Sequence, residues 1–245
     1  MQYTTASSPL WGAEAVELTN LNKEQVYRWA GYRSDCHTIT PELDGMVEDC
    51  IREVLETARP KAVFSPLLPI EGESGAYSAA GLPLMGQDMA KHLEHCQQVL
   101  LLAVTLGAPL DMRIRRTEAV DMARAVVLDS AANVAVEEAA WQAEDEMRME
   151  LSASGLYLTG RYSPGYGDYP ISVQKELLRL TDAGRKIGLS VTPSHIMTPR
   201  KSITAVLGAA KIPVKGHLAG CRHCVLQKTC LFRKRGTTCV SDQSQ

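Results

Sequence analysis

The sequence has few aromatic residues, no long apolar run and almost no net charge. Its 245 residues are 45% apolar, 22% charged and 5% aromatic, with a net charge of −2. This apolar content excludes a disordered chain, which combines few apolar residues with a high net charge. The strongly apolar run Val99–Val104 is far shorter than the roughly 20 residues that span a bilayer. The first ten residues contain neither a basic residue nor an apolar block, so we expect no secretory signal and a cytoplasmic protein.

Acidic residues are missing from one long stretch near the C-terminus. Residues 183–241 contain no Asp or Glu but eleven Lys and Arg, which leaves 15 basic against 27 acidic side chains in residues 1–182. Such an asymmetry predicts a contact of fixed polarity, with nucleic acid, an anionic small molecule or an acidic protein as the partner. Phe232 is the only aromatic residue in residues 209–245, so we expect no stacking surface for nucleic acid there.

The pattern of apolar residues predicts helices mixed with several separate strands. We expect helices at 23–30, 41–59, 88–97, 116–149 and 172–183, strands at 61–66, 99–105, 156–162, 187–192 and 202–207, and a loop at 70–84. This mixture is typical of an α+β or α/β fold. We divide the chain into an N-terminal arm (1–20), a main domain (21–208) and a cysteine-rich tail (209–245).

A turn-rich segment, residues 161–170, has the composition of a ligand-binding loop. Arg161 offers a planar fork for a carboxylate, and the three tyrosines of the segment offer ring faces with hydroxyl tips. Gly165 and Gly167 allow the backbone to approach a ligand closely. This composition is typical of a loop that binds an amino acid or a nucleoside. It is equally typical of an ordinary surface turn between a strand and a helix.

The same segment resembles a known family. The pattern Arg161-x-x-Pro164-Gly165-Tyr166-x-x-x-Pro170 resembles the S-adenosylmethionine-binding signature of the reactivation domain of cobalamin-dependent methionine synthase. The resemblance covers residues 120–208 well, residues from Asn22 onward more loosely, and includes a long helix with Asp129 at its middle. Downstream it continues in order through Ile187-Gly188-Leu189, Thr192-Pro193-Ser194, Met197-Thr198-Pro199 and Ser202-Ile203-Thr204.

The resemblance implies both a fold and a binding site. The fold is α+β, with a twisted, mostly antiparallel sheet flanked by helices. The site binds S-adenosyl-L-methionine, and no catalytic residue follows from the pattern. The residues that would bind the ligand are Arg161, Ser163, Pro164, Gly165 and Tyr166, together with the backbone of Leu207 and Gly208.

This chain departs from the family pattern at two places. The acidic ligand residue of the family's long helix falls near Asn133, which is not acidic, and Glu137 lies one turn further on as a substitute. The aromatic pair that ends the last strand of the family is Leu207-Gly208 here, so that only backbone contact carries over.

The seven cysteines fall into two groups. Cys36, Cys50 and Cys96 are isolated, and we expect them to be ordinary half-buried thiols. The other four lie within nineteen residues, a spacing that indicates a metal site in a cytosolic chain. We expect an iron–sulfur cluster there, with zinc or free thiols as the alternatives. These four residues are Cys221, Cys224, Cys230 and Cys239.

The activity that the resemblance implies is the reductive reactivation of a corrinoid methyltransferase such as methionine synthase. In that family S-adenosylmethionine donates the methyl group that converts cob(II)alamin to methylcobalamin, and an external donor supplies one electron. The chain resembles the free-standing form, so we expect the cobalamin to be carried by a partner methyltransferase subunit and the electron donor to be of flavodoxin or ferredoxin type. Two other hypotheses are an S-adenosylmethionine-binding protein without corrinoid chemistry and a zinc-stabilised nucleic-acid-binding module.

Overall fold

One antiparallel sheet organises the protein. The computed structural model describes residues 13–32, 37–72 and 77–214. In chain order the elements are β1 (Ala13–Ala15), α1 (Lys23–Trp29), α2 (Pro41–Thr57), β2 (Lys61–Phe64), β3 (Leu68–Pro69), β4 (Tyr77–Ala79), β5 (Leu82–Leu84), α3 (Gln87–His92), β6 (Gln98–Thr105), α4 (Ala108–Glu118), α5 (Met122–Ala153), β7 (Tyr157–Leu158), a 3-10 turn (Ile171–Val173), α6 (Gln174–Thr181), α7 (Ala183–Ile187), β8 (Ser190–Val191), β9 (Met197–Thr198) and β10 (Ser202–Ala210).

The strand order of the sheet is β1-β2-β6-β10-β7, and β3 also pairs with β6. Every one of these pairs is antiparallel. The strands β6 and β10 share eight residue pairs, from Ser202 opposite Thr105 to Ala209 opposite Gln98. The hairpins β4–β5 and β8–β9 form two separate two-stranded sheets. The expected α+β fold with a mostly antiparallel sheet and flanking helices is therefore confirmed.

Both faces of the sheet are covered, as the continuous apolar run in β6 predicts. Leu100 and Leu102 are fully buried on the face that packs against α1, α2, α4 and α5. Val99 and Leu101 are fully buried on the other face, which packs against α3, the hairpin β4–β5 and Tyr169 of the 161–170 loop. The candidate loop thus belongs to the apolar core on this second face.

Side-chain caps explain where the helices start. The side-chain oxygens of Asn22 and Thr40 accept backbone N–H groups at the starts of α1 and α2. The long helix predicted from residue 116 is divided. The helix α4 ends at Glu118, and α5 begins only after Asp121, whose carboxylate accepts the N–H of Arg124 at 2.9 Å. An additional cap within the predicted helix is what separates the two elements.

Other predictions of local structure need correction. The helix predicted at 88–97 ends at His92, and the strand predicted at 187–192 pairs only at Ser190–Val191. Residues 70–84 are not a plain loop, because a turn with positive φ at Ala80 and Gly81 joins β4 to β5. The helix predicted at 172–183 is interrupted by Asp182, which adopts a left-handed conformation with φ 55°. The strand predicted at 156–162 pairs at residues 157–158 and again only at Tyr162.

Parts of the predicted division into domains fall outside the described ranges. The arm is described only from Ala13, where β1 pairs with β2. The strand β10 continues to Ala210, past the predicted boundary at residue 208. Cys36 and the four clustered cysteines of the tail are outside the described residues. Among the helices of the described ranges, none has the length and apolar character needed to cross a membrane.

The central strand β6 offers a test of this packing. Leu102 is fully buried between the sheet and the helices, so Leu102→Ala should lower the free energy of unfolding by about 2–5 kcal/mol. Met112, half exposed on α4, provides the control, and Met112→Ala should change stability by only about 0.5 kcal/mol. Urea unfolding followed by circular dichroism measures both, and equal effects would contradict the assigned core.

Candidate functional site

A β-bulge on the edge of β10 directs the side chain of Arg161. Leu158 lies opposite Ala209, whereas Tyr162 lies opposite Val206. Four residue steps on the edge segment therefore face three steps on β10, so that the edge segment carries one extra residue between these pairs. The bulge turns Arg161 toward α5, while Tyr162 points to the opposite face of the sheet.

Arg161 connects the edge of the sheet to α5 through two ion pairs. Its Nε lies 2.9 Å from Oε2 of Glu144, and its Nη2 lies 3.2 Å from Oε2 of Glu137. The side chains of Arg161 and Glu144 are 20% and 13% exposed, whereas that of Glu137 is 51% exposed. Within the described ranges no acceptor contacts Nη1 of Arg161. A partly buried guanidinium thus keeps one donor group for a further anion.

Glu144 also anchors the start of the edge segment. Its Oε1 accepts from Nη2 of Arg148 at 2.6 Å, and Arg148 in turn donates to the carbonyl oxygens of Leu158 and Thr159. Glu144 would therefore keep one ion-pair partner if Arg161 were replaced.

The two candidate polar residues of the long helix have different partners. Glu137 contacts Arg161, whereas the side-chain oxygen of Asn133 accepts from Nζ of Lys201 at 2.6 Å. Of these two candidates, Glu137 is therefore the one that lies beside the motif, as Glu144 also does, and Asn133 belongs to a neighbouring contact.

Tyr162 forms the buried support of the loop. It is 3% exposed, and its ring centroid lies 5.0 Å from that of His92. Burial, reinforced by the nearby carboxylates of Asp88 and Asp168, raises the pKa of Tyr162 to about 12. At neutral pH its hydroxyl stays protonated and donates to the carbonyl oxygen of Tyr166 at 3.4 Å.

Asp168 ties the loop to the start of α3. Its carboxylate accepts the N–H groups of Gln87 at 2.5 Å and Asp88 at 3.2 Å, which caps the helix from a distant part of the chain. A Cβ on Gly86 would lie 2.3 Å from Oδ1 of Asp168. A Cβ on Gly167 would lie 2.4 Å from both Oδ2 of Asp88 and the hydroxyl of Tyr162. Glycine at these two positions is what allows the loop to lie so close to α3.

The predicted ligand residues fall into two groups, one in the 161–170 loop and one in the buried strand β10. Ser163 is half-buried, Pro164 is buried, and Gly165 and Tyr166 are exposed beside Arg161. Leu207 and Gly208 are interior residues of β10. Leu207 is fully buried in the α5-facing core. The N–H of Gly208 donates to the hydroxyl of Thr159 at 2.8 Å, and its carbonyl accepts the N–H of Thr159 at 2.9 Å. The structure thus brings residues 161–166 together at the surface and places 207–208 in the sheet.

The described residues offer no metal centre. No group of three or more His, Cys, Asp or Glu side chains in residues 13–32, 37–72 and 77–214 is arranged to hold an ion. Cys50 is buried and Cys96 is half-buried, and burial raises the pKa of each thiol to about 11. Cys96 is thus the half-buried thiol that the sequence predicts, whereas Cys50 is buried completely in the main core.

Comparison with known proteins connects this geometry to a family. Residues 118–213 match the family model described as the vitamin B12 dependent methionine synthase activation domain. The resemblance to the methionine synthase activation domain is confirmed. Thirteen chains of solved structures match, among them a crystal structure of the MetH reactivation domain bound to AdoHcy. That match has a TM-score of 0.61 at 14% identity and covers 94% of this chain and 88% of that chain. No curated protein matches.

The segment that matches the activation domain contains both sides of the candidate site. It begins at the end of α4 and runs through α5, the 161–170 loop and β10. The bulge, the ion pairs of Arg161 and the capping carboxylate of Asp168 all lie within it. At 14% identity the match to the solved structure shows a shared fold, which agrees with the sheet and helices described above.

The close approach at Gly167 can be tested by comparing two glycines with positive φ. Gly167→Ala should destabilise the protein by about 2–4 kcal/mol, because the new methyl group meets Asp88 and Tyr162 in addition to the left-handed strain. Gly81 also has positive φ but no atom near its Cβ position, so Gly81→Ala should lower stability by only about 1 kcal/mol. Thermal unfolding measures both. An equal loss of stability in the two variants would contradict the close packing of the loop against α3.

Proposed function

We propose that this chain binds S-adenosylmethionine between the 161–170 loop and α5 and serves in the reductive reactivation of a corrinoid methyltransferase such as methionine synthase. The observation that carries the proposal is the pairing of Arg161 with Glu137 inside the segment that matches the activation domain. An arginine and a carboxylate side by side complement the two charges of an α-amino acid.

The charges assign an orientation to the amino-acid end of the ligand. Arg161 is a planar donor that would hold the ligand carboxylate, for which its Nη1 has no competing acceptor among the described residues. Glu137, the more exposed partner, would receive the ligand ammonium group. Glu144 would remain on Nε of Arg161 and keep the guanidinium in place.

The rest of the loop would shape the pocket. Gly165 has φ 93° and donates its N–H to the carbonyl of Tyr169 at 2.8 Å, so the loop turns sharply beside Arg161. Ser163 and Pro164 form the approach to this turn, and the exposed ring of Tyr166 would border the ligand near its methyl group. Leu207 and Gly208 would support the pocket from β10 and contact the ligand only through backbone atoms.

The reaction that we propose needs a partner. The methyl group of S-adenosylmethionine passes to the corrinoid of a methyltransferase subunit, one electron comes from a flavodoxin- or ferredoxin-type donor, and S-adenosylhomocysteine leaves. The residues of this chain bind, orient and shield the methyl donor, and this positioning is their contribution to the rate. In this sense the chain is a methyltransferase component that does not act alone. The similar MetH reactivation domain was crystallised with AdoHcy, which supports this choice of ligand.

Replacing Arg161 tests the ligand assignment. Arg161→Ala should weaken binding of S-adenosylhomocysteine by about 1.5–3 kcal/mol, since a hydrogen-bonded charge pair with the ligand carboxylate is lost. The variant should stay folded, because Glu144 keeps its contact with Arg148. Isothermal titration calorimetry of the full chain measures the affinity.

The matched control is Arg179→Ala. Arg179 also pairs with a glutamate, Glu176, but lies on α6. This variant should bind with unchanged affinity. Equal binding by wild type and Arg161→Ala would remove the loop from the binding site.

A further part of the proposal concerns the tail, which lies outside the described residues. We propose that Cys221, Cys224, Cys230 and Cys239 hold an iron–sulfur cluster. This cluster would relay the electron from the donor to the corrinoid, and we propose that the reaction takes place in the cytoplasm. Residues 183–241 contain eleven basic side chains and no acidic ones, and this positive charge would attract an acidic electron donor. Zinc is the alternative, and it would bind the same thiolates without redox activity.

Anaerobic purification separates the two metals. We expect broad visible absorption that bleaches with dithionite and that disappears in Cys224→Ser. Cys50→Ser is the control, because Cys50 is buried in the main core and should leave the absorption unchanged. Binding of S-adenosylhomocysteine should survive Cys224→Ser. Stoichiometric zinc without iron would instead support a structural site.

A further inference from the structure

The hydroxyl group of Thr159 connects three parts of the chain beneath the bulge. Its Oγ1 accepts the N–H of Gly208 on β10 at 2.8 Å and lies 3.0 Å from the carbonyl oxygen of Gly160. It also lies 2.9 Å from Nε2 of His92 on α3. Thr159 and His92 are both 0% exposed, so these contacts are shielded from water. His92 lies outside residues 118–213, the segment that matches the activation domain.

Nε2 of His92 carries a proton in this arrangement. A hydroxyl group has a single proton and two lone pairs. The backbone N–H of Gly208 can only donate and the carbonyl of Gly160 can only accept, so the hydroxyl gives its own proton to Gly160. The third contact is then a hydrogen bond only if Nε2 donates to Oγ1. Without a proton on Nε2, either two lone pairs would face each other in a buried site or the carbonyl of Gly160 would lose this donor.

The same hydroxyl replaces a backbone acceptor at the start of the bulge. Thr159 lies opposite Gly208, and a regular antiparallel pair at this position would exchange two backbone hydrogen bonds. The N–H of Thr159 does donate to the carbonyl of Gly208 at 2.9 Å, but the N–H of Gly208 donates to the Thr159 side chain. The carbonyl of Thr159 instead accepts from Nη2 of Arg148 on α5 at 2.9 Å. The hydroxyl therefore allows the backbone to leave the ladder and turn toward α5, the direction in which Arg161 also points.

The imidazole ring of His92 is held in place by its surroundings. Its centroid lies 5.0 Å from that of the buried Tyr162. The residues that follow α3 pack directly on β10, because a Cβ on Gly208 would lie 2.5 Å from Sγ of Cys96 and 3.0 Å from Cδ2 of Leu93. This close packing fixes the position of the Nε2 donor relative to the strand.

We infer that His92 is a positioning residue of the proposed ligand site. The proton on its Nε2 orients the hydroxyl of Thr159, this hydroxyl holds the bulge, and the bulge directs Arg161 toward α5. The inference rests on the proposed function and deepens it by naming a residue on another element that acts on the site. His92 and Thr159 are both fully buried, so neither touches the ligand itself.

Two pairs of variants test the inference on the full chain. Thr159→Val keeps the shape of the side chain without the hydroxyl, whereas Thr159→Ser keeps the hydroxyl. His92→Phe keeps a ring beside Tyr162 without the donor, whereas His92→Gln keeps an N–H donor. We expect the affinity for S-adenosylhomocysteine to fall about tenfold or more in the first variant of each pair and to stay close to that of wild type in the second. Isothermal titration calorimetry measures each affinity.

Thr181→Val is the matched control. Thr181 is also buried, at 1% exposed, and its hydroxyl contacts the carbonyl oxygens of Leu177 and Leu178 within α6. This variant loses a buried hydroxyl, as Thr159→Val does, but should bind S-adenosylhomocysteine with unchanged affinity. It therefore separates a loss of stability from a loss of position at Arg161.

Nuclear magnetic resonance of ¹⁵N-labelled protein provides a readout that needs no ligand. The ring of His92 should show a proton on Nε2. The Nε–H group of Arg161, which contacts Glu144, should give the signal of a paired arginine. This signal should move toward that of an unpaired arginine in Thr159→Val and in His92→Phe, and keep its position in Thr159→Ser and His92→Gln.

The outcomes separate this inference from the proposed function. If Nε2 carries no proton, or if wild type binds S-adenosylhomocysteine and both Thr159→Val and His92→Phe bind it equally well, the inference is wrong. If the Arg161 signal responds as expected but wild type does not bind S-adenosylhomocysteine, the positioning by His92 stands and the proposed function fails. If wild type does not bind and the Arg161 signal is the same in every variant, both are overturned. Where thermal unfolding shows that one of the two variants is not folded, the other carries the test.

Discussion

The bulge between Leu158 and Tyr162 is the constraint on which the candidate site depends. Side chains alternate between the two faces of a sheet, so a shift of one residue exchanges the faces of every residue beyond it. Without the extra residue, alternation from Leu158 would direct Tyr162 to the α5 side of the sheet and Arg161 to the side of α3. With it, Arg161 reaches Glu137 and Glu144, and Tyr162 packs on His92.

As a consequence, the two faces of the sheet differ in the contacts that they make with the 161–170 loop. On the face of α3, the carboxylate of Asp168 and the hydroxyl of Tyr162 hold the loop rigidly, with no space for a side chain at Gly167. On the face of α5, charged groups with incomplete hydrogen bonding line up along one helix. A loop held by hydrogen bonds beside charged groups of one helix favours ligand binding, because fewer groups have to be ordered when the ligand binds.

The sequence predicts those features that depend on local chemistry. The apolar run of β6 is sufficient to locate the central strand, and the composition of the 161–170 loop is sufficient to select candidate residues. It does not predict the bulge or the cap of α3 by Asp168, because both depend on contacts between distant parts of the chain. The choice of Glu137 over Asn133 at the site likewise follows from which strand packs beside each turn of α5.

A crystal structure of the full chain with S-adenosylhomocysteine tests the central claim most directly. The account predicts the ligand carboxylate on the guanidinium of Arg161 and the ligand ammonium on Glu137, with Glu144 still on Nε. A cavity of about 340 Å³ opens away from this site, between α6 and β8 beside Leu178 and Leu189. Ligand in that cavity, with Arg161 still paired to both glutamates, would contradict the account.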